Sequence, residues 1–169
     1  MDEFQRFLAL WEIESGRTLA LLKALPDKQY DLRPDAEGRS LGELAWHLVE
    51  IEAYMTHGIK QGGFTRGARP PGIERPRTVA ELAPGYARMH AEARARVDSL
   101  SPADLEREMP FFDGHILTVG QILWSAMLHH LIHHRGQLAL LCRLAGGTPP
   151  GLYGPNREET AAIRARAKA

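Results

Sequence analysis

Four of the eight histidines lie within six consecutive residues, and this run is the part of the chain best suited to chemistry. It occupies positions 129–134 and reads HHLIHH. On a helix, side chains four residues apart project from the same face on consecutive turns. The run therefore offers two chelating pairs, His130 with His134 and His129 with His133. Neutral imidazoles at this spacing can bind one divalent ion, with Zn–N bonds of about 2.0–2.1 Å.

The two pairs differ in the direction that they face on the predicted helix. At about 100° per residue, His130 and His134 share one stripe with mainly apolar residues. The other members of the stripe are Val119, Leu123, Ala126, Gln137, Leu141 and Leu144. His129 and His133 lie some 60–100° away, nearer a boundary. We therefore favour His130 and His134 as the inward-facing pair, and keep His129 and His133 as alternative ligands.

A third ligand is expected from another helix, and His47 is the candidate. It lies on the apolar stripe of the second predicted helix, among Leu44, Ile51 and Tyr54. A lone histidine in such a place is more often a satisfied core residue. Several buried imidazoles that converge are costly without a partner, and a metal ion explains them most simply. The alternative for the histidine run is a patch on the helix surface.

This donor set predicts the kind of metal site. Leu131 follows His130 where a zinc protease of the HExxH type needs glutamate, so that class is excluded. Three neutral histidines leave an ion with its full charge and with open positions, which is typical of catalytic sites. Zn²⁺ is the first choice, and nickel, iron and copper suit imidazole as well. Glu50, one turn from His47, is either a hydrogen-bond acceptor for that ring or a solvated charge. No catalytic residue can be named from the sequence.

The scaffold of these histidines is predicted from helical periodicity. The first helix is expected from about Asp2 to Leu25. The second begins at the capping box formed by Ser40 and Glu43 and ends near Gly58. A long Gly-, Arg- and Pro-rich loop follows it, over Gln61–Arg77.

Two further helices complete the predicted set. Thr78 and Glu81 offer another capping box before a helix over Val79–Leu100. A turn over Phe111–His115, flanked by short extended pieces, precedes a fourth helix from about Thr118 to Leu144, which Gly146 and Gly147 end. Four helices without a long strand predict an all-α four-helix bundle. Because the fourth helix is apolar nearly all round, we expect a partner subunit to cover part of it, as in a homodimer.

Size and charge exclude several classes of protein. A chain of 169 residues with 44% hydrophobic and 25% charged residues is expected to form one globular domain over 1–169. Lys plus Arg and Asp plus Glu each total 21, so the formal net charge is zero. Nucleic-acid binding needs a positive excess, and we therefore expect no nucleic-acid partner.

The cysteine content and the start of the chain bear on location. Cys142 is the single cysteine and has no partner for an internal disulfide, as is typical of a reducing compartment. The chain starts with the acidic residues Asp2 and Glu3, where a signal peptide would be basic. Apolar stretches are interrupted before they reach membrane-spanning length. A soluble cytoplasmic protein without membrane contact is expected.

Three segments together resemble the DinB/YfiT-like family. They are residues 44–50 (LAWHLVE), residues 130–138 (HLIHHRGQL), which match the HxxxHRGQ pattern of that family, and residues 149–155 (PPGLYGP). The resemblance implies a four-helix bundle of up-down-down-up type, commonly dimeric, with one metal ion on His47, His130 and His134. Some relatives are S-transferases or isomerases that use mycothiol, bacillithiol or glutathione, and many have no established reaction. The family name refers to induction by DNA damage and implies no DNA binding.

Three functions follow as hypotheses. The leading one is a metal-dependent thiol S-transferase, in which zinc would stabilise the nucleophilic thiolate of a low-molecular-weight thiol. Four arginines of the long loop could hold a carboxylate of the thiol or substrate, or be merely solvated: Arg66, Arg69, Arg75 and Arg77. The alternatives are a hydrolase that activates water and a non-enzymatic metal-binding stress-response module. A loop folded over the metal would favour the enzyme, and an open cavity would count against the module.

Four other residues have two interpretations each. Gln137 either orients the ring of His134 or satisfies a buried polar group. Tyr153 either reaches the site or fastens the C-terminal segment to the bundle. Arg135 is expected to be structural or at the surface, and Cys142 to be buried and inert rather than catalytic.

Overall fold

Four long helices carry the fold in the computed structural model, which describes residues 1–65, 67–112 and 114–168. The helices are α1 (Glu3–Lys23), α2 (Leu41–Gln61), α3 (Val79–Asp98), α4 (Val119–Gln121), a π-helical stretch (Ile122–His129), α5 (His130–Leu144) and α6 (Arg157–Arg166). The segments α4, π and α5 are continuous and form the fourth long helix. No helix within the described ranges is both long and apolar enough to cross a membrane. The predicted all-α bundle is confirmed.

A short hairpin joins α3 to the fourth helix. After a 3-10 turn (Pro102–Glu106), strand β1 (Glu108–Pro110) pairs antiparallel with β2 (Ile116–Thr118). These are the short extended pieces predicted on either side of the turn. Asp113, in that turn, lies outside the described residues.

Side-chain contacts give the direction of each helix in the bundle. Phe7 packs on Trp124 with ring centroids 5.2 Å apart, and the Cys142 Sγ lies 3.5 Å from the carbonyl oxygen of Ala24. The later residue of the α1 segment contacts the later residue of the fourth helix, so these two helices are parallel. Between α2 and α3, the Arg96 guanidinium donates to the Thr56 hydroxyl at 3.3 Å.

The second helix is parallel to α3 and antiparallel to the fourth helix. Trp46 of α2 packs against Gly85 of α3, where an added Cβ atom would lie only 2.8 Å from the indole. About ten residues further along both helices, Thr56 of α2 contacts Arg96 of α3, so α2 and α3 are parallel. Leu44 shares a cavity with Leu141, and Ile51 shares the next one with His130. The order is therefore up-down-down-up, as the family resemblance implied.

The capping box at the start of α2 forms as predicted. The Ser40 N–H donates to the Glu43 Oε2 at 2.8 Å, and the Glu43 N–H donates to the Ser40 Oγ at 3.2 Å. The helix runs on to Gln61, one turn beyond the predicted end at Gly58, because Gly62 with φ of 75° provides the C-cap.

One prediction about a helix start was wrong, and one helix was missed. The Thr78 hydroxyl donates to the Glu81 carboxylate at 2.6 Å and does not accept from the backbone, so no capping box forms before α3. The helix α6 was not predicted, although Asn156 and Glu159 form a complete capping box before it.

The fourth helix covers the predicted range but is not α-helical throughout. Hydrogen bonds in a π-helix join residues five apart, so its turn is wider than that of an α-helix. A face predicted at a constant 100° per residue therefore no longer matches the true face of the helix after Ile122–His129. Val119 and Leu123 are fully buried as predicted, but Gln137 is exposed and Leu144 is 63% exposed. The prediction that these last two face inward was wrong.

A buried polar network ties α2 to α1 and α3. The Glu52 carboxylate is 1% exposed and accepts from the Trp11 indole N–H at 3.1 Å and from the Tyr86 hydroxyl at 2.8 Å. The His90 Nδ1 lies 2.7 Å from the same carboxylate, on Oε2. Burial by itself lowers the pKa of His90, but the hydrogen bond and the charge of Glu52 outweigh it and raise the pKa above its usual value.

This network predicts a pH dependence of stability. Since the folded-state pKa of His90 is raised, its charged form stabilises the fold fully below about pH 6.5, and that contribution is lost as the pH rises through the folded-state value. We expect the wild type to have a higher free energy of unfolding than His90→Gln. This difference should be larger at about pH 6 than at about pH 9. Urea denaturation of both proteins at the two pH values measures this difference. A gap that is constant or widens with pH would contradict the assignment.

Candidate metal centre

The three histidines proposed as ligands lie together between α2 and α5. One ring nitrogen from each of His47, His130 and His134 lies within 4.8 Å of the others. The Nε2 atoms of His130 and His134 are 2.9 Å apart, and the ring of His47 has its centroid 5.5 Å and 4.7 Å from theirs. His129 and His133 are exposed and do not belong to this group. The antiparallel packing of the two helices thus selects the pair that the helical-face argument favoured.

Hydrogen bonds to the rings assign their tautomers. The Nδ1 of His47 donates to the Glu50 carboxylate at 3.2 Å, since a carboxylate only accepts. The Nδ1 of His134 lies 2.7 Å from the Gln137 Oε1 and donates to it.

The rings of His47 and His134 therefore each have a hydrogen-bonded N–H on Nδ1 and a lone pair on Nε2. The Nε2 atoms of His130 and His134 lie 2.9 Å apart, so both rings face one point between the helices. Two nitrogens bound tetrahedrally to one Zn²⁺ at about 2.0–2.1 Å would lie roughly 3.4 Å apart, so a small movement of the two rings would admit the ion. The donor set fits a divalent metal, and Glu50 and Gln137 orient the rings in the way that ligand histidines require.

The surroundings of His130 and His134 keep these two rings neutral. Burial, followed by the neighbouring histidines, lowers the pKa of His134 to about 4 despite its hydrogen bond to Gln137. Burial and the charge of His47 also lower the pKa of His130. Both rings are thus unprotonated near neutral pH, the state in which imidazole binds a metal ion.

A cavity of about 360 Å³ opens beside the histidines. It is large enough for a small molecule. Its lining comprises Arg39, His47, Glu50, Ile51, Tyr54, Met55, Thr65, Gly67, Ala68, Arg69, Phe112 and His130. Four of these residues belong to the long loop after α2, so this part of the loop folds over the site. The loop therefore lies beside the histidines, and the open cavity counts against a metal-binding module that is closed to small molecules.

The loop arginines differ in their positions. Arg69 lines the cavity, whereas Arg75 forms an ion pair with Glu43 at 3.3 Å and Arg77 is exposed outside the cavity lining. Arg66 lies outside the described residues. The sequence pattern missed Arg39, because it precedes α2 in a segment without a periodic signal.

A second buried ion pair fixes the helix that carries two of the histidines. Arg135, adjacent to His134, is fully buried and donates to the Glu14 carboxylate of α1. The Tyr153 hydroxyl donates to the same carboxylate at 2.7 Å. Burial would raise the pKa of Glu14, but hydrogen bonds from Arg135 and Tyr153 hold it below the usual value. Tyr153 thus fastens the C-terminal segment to the bundle, and Arg135 is structural.

The remaining candidate is Cys142. It is fully buried, and its burial raises the pKa of the thiol. A buried protonated thiol is a poor nucleophile, in agreement with the expectation that it is inert.

Comparison with known proteins identifies similar chains. The family model described as DinB superfamily matches residues 10–138, a range that includes all three histidines. The uncharacterized protein YrdA of Bacillus subtilis (strain 168) is 32% identical over 158 residues, which cover 92% of this chain and 90% of YrdA.

Solved structures with the same fold agree with this match. A DinB-like protein from Bacillus cereus ATCC 10987 has a TM-score of 0.73 and 27% sequence identity. The match covers 87% of this chain and 95% of the Bacillus cereus chain. The DinB-like protein YjoA from Bacillus subtilis has a TM-score of 0.70 and 24% identity, covering 90% and 99%. A variant of mycothiol-dependent maleylpyruvate isomerase has a TM-score of 0.56 and 12% identity, covering 85% and 68%. The last two likenesses concern the fold alone.

Proposed function

Because the chain belongs to the DinB superfamily, we propose that it is a metal-dependent enzyme whose divalent ion is held by His47, His130 and His134. The observation that carries the proposal is the convergence of three histidine rings at the edge of an open cavity. Zn²⁺ is the first choice, with Ni²⁺ and Fe²⁺ as alternatives for the same donors. An open cavity also favours a small-molecule substrate over a closed metal-binding module.

The reaction that we propose is transfer of a low-molecular-weight thiol to a carbon electrophile. When bound, the ion would stabilise the thiolate form of the thiol beside the cavity. The apolar side chains of Ile51, Met55 and Phe112 would hold the body of the electrophile and keep water from it. A protein of the same fold is named a mycothiol-dependent isomerase, which supports thiol chemistry in this fold.

A chromogenic electrophile tests the reaction. In 1-chloro-2,4-dinitrobenzene the thiolate sulfur forms a bond to the ring carbon, chloride leaves, and the thiol proton passes to solvent. We expect the Zn²⁺-loaded protein to accelerate this reaction with mycothiol, bacillithiol or glutathione, and the rate to return to background after chelation. Equal rates with and without metal, for all three thiols, would contradict the proposed transferase activity.

Hydrolysis is the second candidate, and Glu50 is the observation that favours it. This carboxylate lines the cavity and could take a proton from a water molecule there. Release of p-nitrophenolate from p-nitrophenyl acetate by the Zn²⁺-loaded protein, with no thiol present, would support hydrolysis over thiol transfer.

Glu50 also carries a prediction about metal affinity. Because its carboxylate accepts from the His47 Nδ1, Glu50→Gln is expected to weaken Zn²⁺ binding by about 10- to 100-fold. Competition with a chromogenic chelator measures the change. The control is Glu92→Gln, which removes a carboxylate of α3 that pairs with Arg96 and lies outside the metal group. If both variants bind Zn²⁺ as tightly as wild type, Glu50 does not orient the ligand.

We further propose that the protein is a homodimer through α5. Leu140 and Leu144 are each 63% exposed, and they flank a groove that Leu44 and Leu141 also line. A second copy of this face would cover them. We expect light scattering to give the mass of a dimer for wild type and of a monomer for the Leu140→Glu/Leu144→Glu double variant. A monomeric wild type would contradict this proposal.

A further inference from the structure

Two arginines line the cavity beside the histidines without an ionic partner in the described part of the chain. Arg39 comes from the segment before α2 and Arg69 from the loop after it, so they reach the cavity from separate parts of the sequence. By contrast, Arg33 and Arg75, which belong to the same two segments, both form ion pairs with Glu43, at 2.8 Å and 3.3 Å. Arg39 and Arg69 are exposed, and no residue of the described ranges forms a hydrogen bond with their guanidinium groups.

The charge balance of the cavity is positive among the described residues. Glu50 is the acid in the lining, and its carboxylate is already engaged by His47 at 3.2 Å. Arg39 and His130 line the same cavity, so the guanidinium adds positive charge beside the histidines. A divalent ion on the histidines would make the cavity more positive still, so it is complementary to an anion.

The rest of the lining limits the shape and polarity of that anion. Ile51, Met55 and Phe112 give one part of the wall an apolar surface, and the volume of about 360 Å³ admits only a small molecule. Guanidinium groups bind carboxylates through two parallel N–H···O bonds. A small carboxylate with an apolar or aromatic body matches both parts of the wall.

We propose that Arg39 and Arg69 together bind the carboxylate of such a substrate or thiol and determine the specificity of the site. This inference rests on the proposed function, since it concerns the ligand of the same cavity. The two side chains act in binding and not in bond making.

A matched pair of probes tests the inference. Phenylacetate and phenylacetamide have nearly the same shape and differ in charge. We expect calorimetry to show tighter binding of phenylacetate to the Zn²⁺-loaded wild type. Arg39→Gln and Arg69→Gln should each reduce that preference about threefold, and the double variant about tenfold, as exposed ion pairs permit. Arg77→Gln, an exposed loop arginine outside the cavity, should leave it unchanged.

The metal content of every sample, measured separately, distinguishes the two proposals. Zn²⁺-loaded variants that keep the full preference would overturn this inference and leave the metal site standing, because the ion alone would then bind the carboxylate. A wild type that takes up no metal would overturn the proposed function. In that case the same titration is made on the metal-free protein, and Arg39→Gln and Arg69→Gln must still reduce the preference for phenylacetate for the inference to stand.

Discussion

Replacing His130 by alanine is expected to remove most of the affinity for divalent metal and to leave the fold intact. Its Nε2 lies 2.9 Å from that of His134, on the facing side of the neighbouring turn. Sites with four ligands bind Zn²⁺ with about 10–16 kcal/mol, so one ligand contributes on the order of 3 kcal/mol, or roughly a hundredfold in affinity. Competition titration with a chromogenic chelator measures the loss. Circular dichroism and the urea midpoint verify that the variant is folded.

The control for this prediction lies one residue away. His129→Ala removes an exposed histidine of the same run, outside the group of three. Its Zn²⁺ affinity should equal that of wild type. If His129→Ala loses affinity and His130→Ala keeps it, the other pair of the histidine run supplies the ligands, and the assignment made here is wrong.

The second large effect is expected at the buried pair of Glu14 and Arg135. Both side chains are almost completely removed from solvent, at 2% and 0% exposure. Glu14→Ala leaves the Arg135 guanidinium buried without its counter-charge, which typically costs about 3–5 kcal/mol in the free energy of unfolding. Urea denaturation followed by circular dichroism measures the change.

Two further variants identify the cause of that loss. Glu158→Ala removes a carboxylate that pairs with Arg143 at the surface, and it should shift the urea midpoint very little. The double variant Glu14→Leu/Arg135→Met replaces both charges with apolar groups and should recover much of the stability. If the double variant is less stable than Glu14→Ala, the lost contacts of Arg135 and not its unpaired charge cause the effect.

The fold was predictable where local chemistry decides it. The box at Ser40 and Glu43 satisfies backbone groups within four residues, so its sequence signature was sufficient to position the start of α2. The π-helical stretch Ile122–His129 was not predictable, because tertiary packing and not a local motif selects the wider turn. The overlooked helix α6 had a signal in Asn156 and Glu159, but no apolar stripe drew attention to it.

The candidate site was predictable in its donors and not in its surroundings. His130 and His134 are joined by helical spacing, and His47 by its place on an apolar face, so their convergence follows from the bundle. Glu50 and Gln137, the partners of two ring N–H groups, each lie three residues from their histidine on the same helix, and the sequence offered both as candidates. Arg39 and the cavity depend on how two irregular segments fold over α2, which no periodicity encodes.

Anomalous diffraction at the zinc absorption edge, from crystals of wild type grown with Zn²⁺, tests the metal site most directly. We predict one strong anomalous peak between α2 and α5, about 2.0–2.1 Å from a nitrogen of each of His47, His130 and His134. Zn²⁺ bound at His129 and His133 alone, or no peak at the three histidines at saturating metal, would contradict the proposed centre.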